Sequence, residues 1–186
     1  MATLTDDSRK AFALKKSKAD NHNAELSLSS EGRLKLARTE RLVLAYYNDG
    51  GKNKGHCTYG YGTLVHRGVC TEEELKLPVT LEMAEGTLNS RIRDAENAVK
   101  RNVTYGLNQE QFDALVSYTY NKGPRGALKA VDLINKEKLK EAADYILVDT
   151  GSIKNGKKIQ LRGLIGRRRE EAAPFIIKND SGEVGK

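Results

Sequence analysis

Between Glu40 and Gly62 the chain reads Glu-Arg-Leu-Val-Leu-Ala-Tyr-Tyr-Asn-Asp-Gly-Gly-Lys-Asn-Lys-Gly-His-Cys-Thr-Tyr-Gly-Tyr-Gly, a composition hostile to helix. Gly50, Gly51, Gly55, Gly60 and Gly62 punctuate it, and each glycine costs a helix interior about 1 kcal/mol relative to alanine. The Val, Tyr and Thr residues between them suit extended backbone. Residues 44–66 are therefore expected to form a small antiparallel sheet with glycine turns. Everything around this stretch has the opposite character, so the sheet must sit within a mostly helical chain.

Ser29 is a good N-cap with Glu31 in the first turn, which predicts a helix from about Ser30 to Arg38 that delivers Glu40 near its end. Thr80 caps a long amphipathic helix to about Arg101, in which Ala84, Leu88, Ile92, Ala95 and Val99 recur at three- and four-residue steps. Asn108 with Gln111 reads as a capping box. Phe112, Leu115, Val116, Thr119 and Tyr120 form the buried stripe behind it, and Gly123-Pro124 ends that helix. Leu128, Val131 and Ile134 mark another helix, Leu139, Ala142, Ala143 and Ile146 the next, and Leu161 to Phe175 the last; Gly151 to Lys158 is expected as a flexible loop. Residues 1–26 are expected as a flexible tail or linker, with a helical turn open at Ala11 to Leu14, residues 27–177 as the folded domain, and residues 178–186 as a frayed tail. The fold class expected is α+β.

Two carboxylates stand at the edges of the glycine-rich stretch. Glu40 lies near the negative end of a helix dipole, which favours its protonated form, while Asp49 sits in a wetter turn that suits a charged group. An acid and an anion held by separate pieces of backbone are what cleavage of a glycosidic bond needs, one protonating the leaving oxygen and the other facing it across the sugar. Thr58, opening Thr-Tyr-Gly-Tyr-Gly, can do neither acid nor base work but can hold a water or a covalent intermediate. The plain alternative is that Glu40 and Asp49 are solvated charges beside a hairpin.

The motif Glu-x8-Asp followed by Thr-x-Gly-Tyr-Gly resembles the active-site region of the phage-type lysozymes and endolysins, glycoside hydrolase family 24. Leu28-Ser29-Ser30-Glu31-Gly32 resembles the opening of that family's first helix. Gln111-Phe112-Asp113-Ala114-Leu115-Val116-Ser117, running on to Asn121-Lys122-Gly123, is similar to its Gln-Phe-Asp-Ala-Leu-Val-Ser…Asn-x-Gly helix, and Gly163 to Glu171 matches its Gly-Leu-x-x-Arg-Arg-x-x-Glu ending. The blocks keep their order across residues 28–175. The resemblance implies a lysozyme-like fold, a helical lobe and a small β-hairpin lobe with a cleft between them. It implies an endo-acting N-acetylmuramidase that hydrolyses the β-1,4 bond between N-acetylmuramic acid and N-acetylglucosamine, with Glu40 as general acid, Asp49 as base or electrostatic stabiliser and Thr58 positioning water. The rival on the same bond is a lytic transglycosylase, for which Asp49 would be dispensable; the rival of another class is a non-catalytic wall-binding module. Glu31, in Ser-Glu-Gly, superficially copies the acid, but the spacing to Tyr47 and Asp49 selects Glu40. Two departures stand out: Thr63 replaces a histidine that many relatives carry after Gly-Tyr-Gly, and the gap between Asp49 and Thr58 exceeds that of some relatives.

Six further residues are candidates for contact with substrate. Tyr47 and Tyr61 either stack on sugar faces or pack in the core. Gln111 is a second-rank candidate, and Asn121 either donates to an N-acetyl group or caps a helix. Arg167 and Arg168 bind substrate carboxylates, brace the lobes or form a solvated basic face. Cys57 and Cys70 either close a loop of about 14 residues as a disulfide or remain reduced thiols; two thiols without well-spaced histidines do not make a zinc site. No metal or cofactor is expected.

The net charge of +7 favours anionic partners. With only 6% aromatic residues the signatures of nucleic-acid modules are missing. Charge alone does not choose a partner; the resemblance of the site implies an anionic bacterial wall, peptidoglycan above all, rather than nucleic acid. No apolar run approaches the ~18 residues of a membrane span, and no secretory signal is evident. A monomer is expected, made in the cytoplasm and acting in the wall or periplasm of its target. It would be delivered by a holin, a secretion machine or a larger parent protein, as a phage endolysin or as an antimicrobial effector toxin.

Overall fold

The computed structural model describes residues 22–154 and 157–176. Among them are five α-helices, α1 (Ser30–Glu40), α2 (Leu81–Asn102), α3 (Gln109–Asn135), α4 (Leu139–Val148) and α5 (Gly163–Ala172). A three-stranded antiparallel sheet in the order β1 (Val43–Asn48), β2 (Cys57–Gly60), β3 (Thr63–His66) confirms the sheet expected over 44–66. Short 3-10 turns cover Glu74–Lys76 and Ala173–Phe175. The chain is α+β and divides into two compact units, residues 28–96 and residues 97–186 together with the segment before 28.

In the 28–96 unit the helix ends follow the capping chemistry. The Ser29 hydroxyl accepts the Gly32 N–H at 3.0 Å, and the Thr80 hydroxyl accepts the Met83 N–H at 3.1 Å. Leu36, Val79, Ala84, Leu88, Ile92 and Ala95 form the apolar interior. At Gly60 (φ +61°) a Cβ would stand 3.0 Å from that of buried Ala84, so glycine is what lets β2 lie against the start of α2. Thr63 bonds the Thr87 hydroxyl of α2 at 3.1 Å. That bond fastens β3 at the position where a histidine was expected from relatives.

Cys57 and Cys70 form a disulfide, their Cα atoms 4.6 Å apart. Of the two states left open by the sequence, this is the one found. It ties β2 to the segment after β3, in a region with little apolar interior of its own: Leu64 and Val65 of β3 and Val69 beyond it are all exposed. Serine at both cysteines is expected to lower stability by about 3 kcal/mol, the loop-closure value for a loop this long, read from urea unfolding with and without the substitutions.

His66 adds a titratable tether. Its Nε2 lies 2.9 Å from a Glu74 carboxylate oxygen and its Nδ1 3.2 Å from the Arg67 carbonyl. Both ring nitrogens face acceptors, which the imidazolium satisfies best. The bond to Glu74, then that to Arg67, raises the His66 pKa above its ordinary 6.5. Bonding from the Thr71 backbone, then from His66, lowers that of Glu74 below its ordinary 4.5. The histidine's contribution is fully present below pH 6.5 and fades as pH rises through its elevated pKa. The glutamate's is present above pH 4.5 and fades as pH falls through its lowered one. The tether should thus be strongest between those values. NMR titration of His66 should give a midpoint above 6.5 that drops in Glu74→Gln.

In the other unit, Phe112, Leu115, Val116, Thr119 and Tyr120 are buried along α3 as the periodicity predicts, and the Asn108–Gln111 capping box is present. Gly123 breaks α3 with φ +72°, and Pro124 restarts it at once, so two helices abut across a kink. Val131 and Ile134 are buried in the second half, but Leu128 is half exposed. Leu139, Ala142, Ala143 and Ile146 are buried as expected.

Two expectations need correction. The stretch from Gly151 to Lys158, expected as a loop, is largely strand: Gly151–Lys154 (β4) pairs antiparallel with Lys157–Gln160 (β5). Residues 22–26, assigned to a flexible tail, form a turn around fully buried Asn23. The Asn23 side chain donates to the carbonyls of Val103 and Tyr105 at 3.2 and 2.9 Å and accepts from Leu107 N–H at 3.0 Å. A buried amide with its partners in place anchors the chain there. The helical turn suggested at Ala11 to Leu14, the rest of the leading segment and the tail at 178–186 lie outside the described residues.

Candidate active site

Glu40, Asp49, Thr58, Tyr47 and Tyr61 all belong to the 28–96 unit. Glu40 is the last residue of α1 and half-buried. Arg41 follows with φ +50°, unusual for a residue with a side chain and costing about 1–3 kcal/mol. This bend turns the chain from α1 into β1 within a few residues and so sets where the Glu40 carboxylate stands relative to the sheet.

Asp49 follows β1 in an exposed turn. Its N–H donates to the His56 carbonyl at 3.1 Å, and its Oδ1 accepts the His56 N–H at 2.7 Å. Thr58 on β2 is 3% exposed, and its hydroxyl donates to the same His56 carbonyl at 3.2 Å. The hydroxyl hydrogen is thus committed to backbone, leaving the oxygen's lone pairs for an incoming donor.

Tyr47 joins these pieces. It pairs with Thr58 across β1 and β2. Its phenol pKa is raised, first by burial, then by the Asp49 charge, with Glu40 adding in the same sense and Arg41 opposing. One half-buried phenol therefore feels both carboxylates, one from a helix end and one from a strand turn. Tyr61 is buried among the core residues, as its packing reading expects.

The remaining four candidates lie in the other unit and are occupied. Gln111 is buried; its side chain accepts the Asn108 N–H at 3.1 Å and donates to the Pro174 carbonyl at 3.2 Å. Arg168 is fully buried, donating to the Asp149 carbonyl at 2.8 Å, to Glu171 and to the Asn121 side chain, with its guanidinium 4.9 Å from the centre of the Tyr118 ring. Arg167 donates to Glu171 at 2.8 Å and to the Ser117 carbonyl at 3.0 Å. Asp149 also accepts from Tyr118 at 2.6 Å and Lys122 at 2.9 Å. Burial pushes the Asp149 carboxyl up, but these two bonds together with the Lys122 and Arg168 charges hold the group below its ordinary 3.8. Gln111, Arg167 and Arg168 are thus held in buried contacts, and the arginines are not a solvated face, whereas Asn121 is exposed, with its Oδ1 accepting from Arg168.

His56 escaped the sequence reading. Its place two residues before Thr58 was the only signal, and its importance lies in its main chain, which sequence does not display.

A helical chain carrying a three-stranded antiparallel sheet of this kind is a lysozyme-like α+β fold, and solved relatives share it. The endolysin of Escherichia coli O157:H7 phage FAHEc1 superposes with a TM-score of 0.70 at 29% identity, covering 85% of this chain and 96% of that one. The muramidase domain of SpmX from Asticaccaulis excentricus gives 0.66 at 27% identity, covering 82% and 99%. In sequence, the endolysin of Salmonella phage P22 is 30% identical over 155 residues, 81% of this chain and 99% of that protein. The endolysin of Bacillus phage B103 is 34% identical over 114 residues, and the match spans only 41% of that protein's length. The Phage lysozyme family matches residues 37–171. The chain belongs to the phage lysozyme family and is an enzyme of that class.

Proposed function

We propose that the protein is an endo-acting peptidoglycan hydrolase that cleaves the β-1,4 bond between N-acetylmuramic acid and N-acetylglucosamine, with residues 27–177 and the Asn23 turn as its catalytic part. Glu40 protonates the leaving glycosidic oxygen. Asp49 stays ionised, stabilises the positive charge that develops at the anomeric carbon and draws a proton from the attacking water. Thr58 orients that water through the lone pairs its bond to His56 leaves available. The observation that carries this reading is the single Tyr47 phenol lying in the field of both Glu40 and Asp49 while paired in register with Thr58. Endolysin relatives and the net charge of +7 support an anionic wall as the substrate.

Digestion of purified bacterial sacculi, with product masses measured, tests the proposal. Reducing-end muramic acid products are expected. Products lighter by one water, carrying an anhydro sugar, would instead identify a lytic transglycosylase, and binding without release of sugar would identify a wall-binding module.

A further inference from the structure

We propose that His56 is a positioning residue for Asp49 and Thr58, acting through the hydrogen bond its imidazole accepts from Gly68. The inference rests on the hydrolase reading above. The His56 main chain touches both groups: its N–H donates to Asp49 Oδ1 at 2.7 Å, and its carbonyl accepts from the Asp49 N–H at 3.1 Å and the Thr58 hydroxyl at 3.2 Å. Where that one peptide segment sits determines where the carboxylate and the hydroxyl sit. Behind them there is no slack. A Cβ on Gly55 (φ +86°) would fall 2.1 Å from Asp49 Oδ1, so the carboxylate packs on bare backbone.

Packing does not hold this turn in place, because residues 49–56 are exposed throughout. The ring supplies the outer tether. His56 Nδ1 accepts the Gly68 N–H at 3.1 Å, which puts the proton of the neutral ring on Nε2. The Gly68 carbonyl accepts the Cys57 N–H at 2.8 Å, and the Asn48 side chain accepts the Cys70 N–H at 2.7 Å. The disulfide between Cys57 and Cys70 closes this segment covalently. The imidazole therefore fastens the Asp49–Thr58 turn to a closed loop. Loss of the ring leaves the main-chain bonds in place but lets the turn wander, and small misplacements of a catalytic pair are costly to the chemical step. Sugar binding does not run through this bond, so the effect should fall on kcat.

The test measures steady-state hydrolysis of soluble glycan strands from peptidoglycan by wild type, His56→Ala, His56→Asn, His56→Gln and Asp49→Asn, with thermal melting of each. His56→Ala is expected to lose about tenfold in kcat, the worth of one hydrogen bond, with KM within about twofold. His56→Asn places an acceptor oxygen where Nδ1 stood and should recover most of the rate, whereas His56→Gln, one bond too long, should stay slow. A kcat for His56→Ala within twofold of wild type, or Asn and Gln variants of equal rate, would overturn the assignment even if the alanine variant folds poorly. An unaffected Asp49→Asn would overturn the hydrolase reading along with it. Inactive Asp49→Asn beside a normal His56→Ala would remove this inference alone.

Discussion

Glu40→Gln is expected to cut lytic turnover by at least about a hundredfold, the lower end of what a positioned general acid contributes. Glutamine keeps the shape of the side chain and its reach but has no proton to give at neutral pH. The leaving sugar oxygen would then depart as an alkoxide, a far poorer leaving group. Each tenfold in rate corresponds to about 1.4 kcal/mol, so a loss of roughly 3 kcal/mol or more of transition-state stabilisation should appear in kcat, with substrate affinity little changed. The fold should survive. Glu40 is the half-buried last residue of α1, and glutamine keeps its length and packing there. The decisive comparison pairs sugar release from sacculi with a melting curve. Retained turnover at an unchanged Tm would remove Glu40 as the acid, and a collapsed Tm would show that the residue holds structure instead.

Local chemistry was legible in the sequence wherever a short-range rule governs it. The Ser29 and Thr80 caps, the Asn108–Gln111 box and the apolar stripe of α3 lie where periodicity and capping put them, because each depends on residues within a turn or two. The break at Gly123-Pro124 was equally visible, since proline cannot continue the preceding hydrogen bonding. What failed to show are features set by residues far apart. Asn23 reads as a polar tail residue, and its burial depends on carbonyls at Val103 and Tyr105 some eighty positions on. Lys-Asn-Gly-Lys reads as loop until its two arms are seen to pair. The site divides along the same line: the carboxylates stood out by spacing, while the His56 peptide that holds Asp49 and Thr58 has no signature a sequence can carry.

Of the roles left open for the arginines, the buried ion pairs favour bracing, and their energetics give the second strong expectation. Glu171→Gln should destabilise the protein by about 3–5 kcal/mol, because removing one partner strands charges inside the protein. Glu171 is 3% exposed and serves two cations at once. One oxygen takes Arg167 Nε at 2.8 Å and the Ser117 hydroxyl at 2.7 Å, and the other takes Arg168. Without that anion, the fully buried Arg168 keeps hydrogen bonds only to neutral acceptors among the described residues, the Asp149 carbonyl and Asn121, with the nearby Asp149 charge as its remaining electrostatic partner. Two guanidiniums then repel each other where the dielectric is low. For a chain of this size the loss corresponds to a fall in Tm of about 10 °C. The exposed pair Lys140–Asp144, 3.1 Å apart on α4, is the control: breaking it should cost less than about 0.5 kcal/mol, since water already solvates both ends. Calorimetry on Glu171→Gln and Lys140→Ala separates the two readings of the arginine cluster. A substrate-binding cluster would shift KM and leave Tm alone. A buried brace shifts Tm and leaves KM of the surviving folded enzyme unchanged.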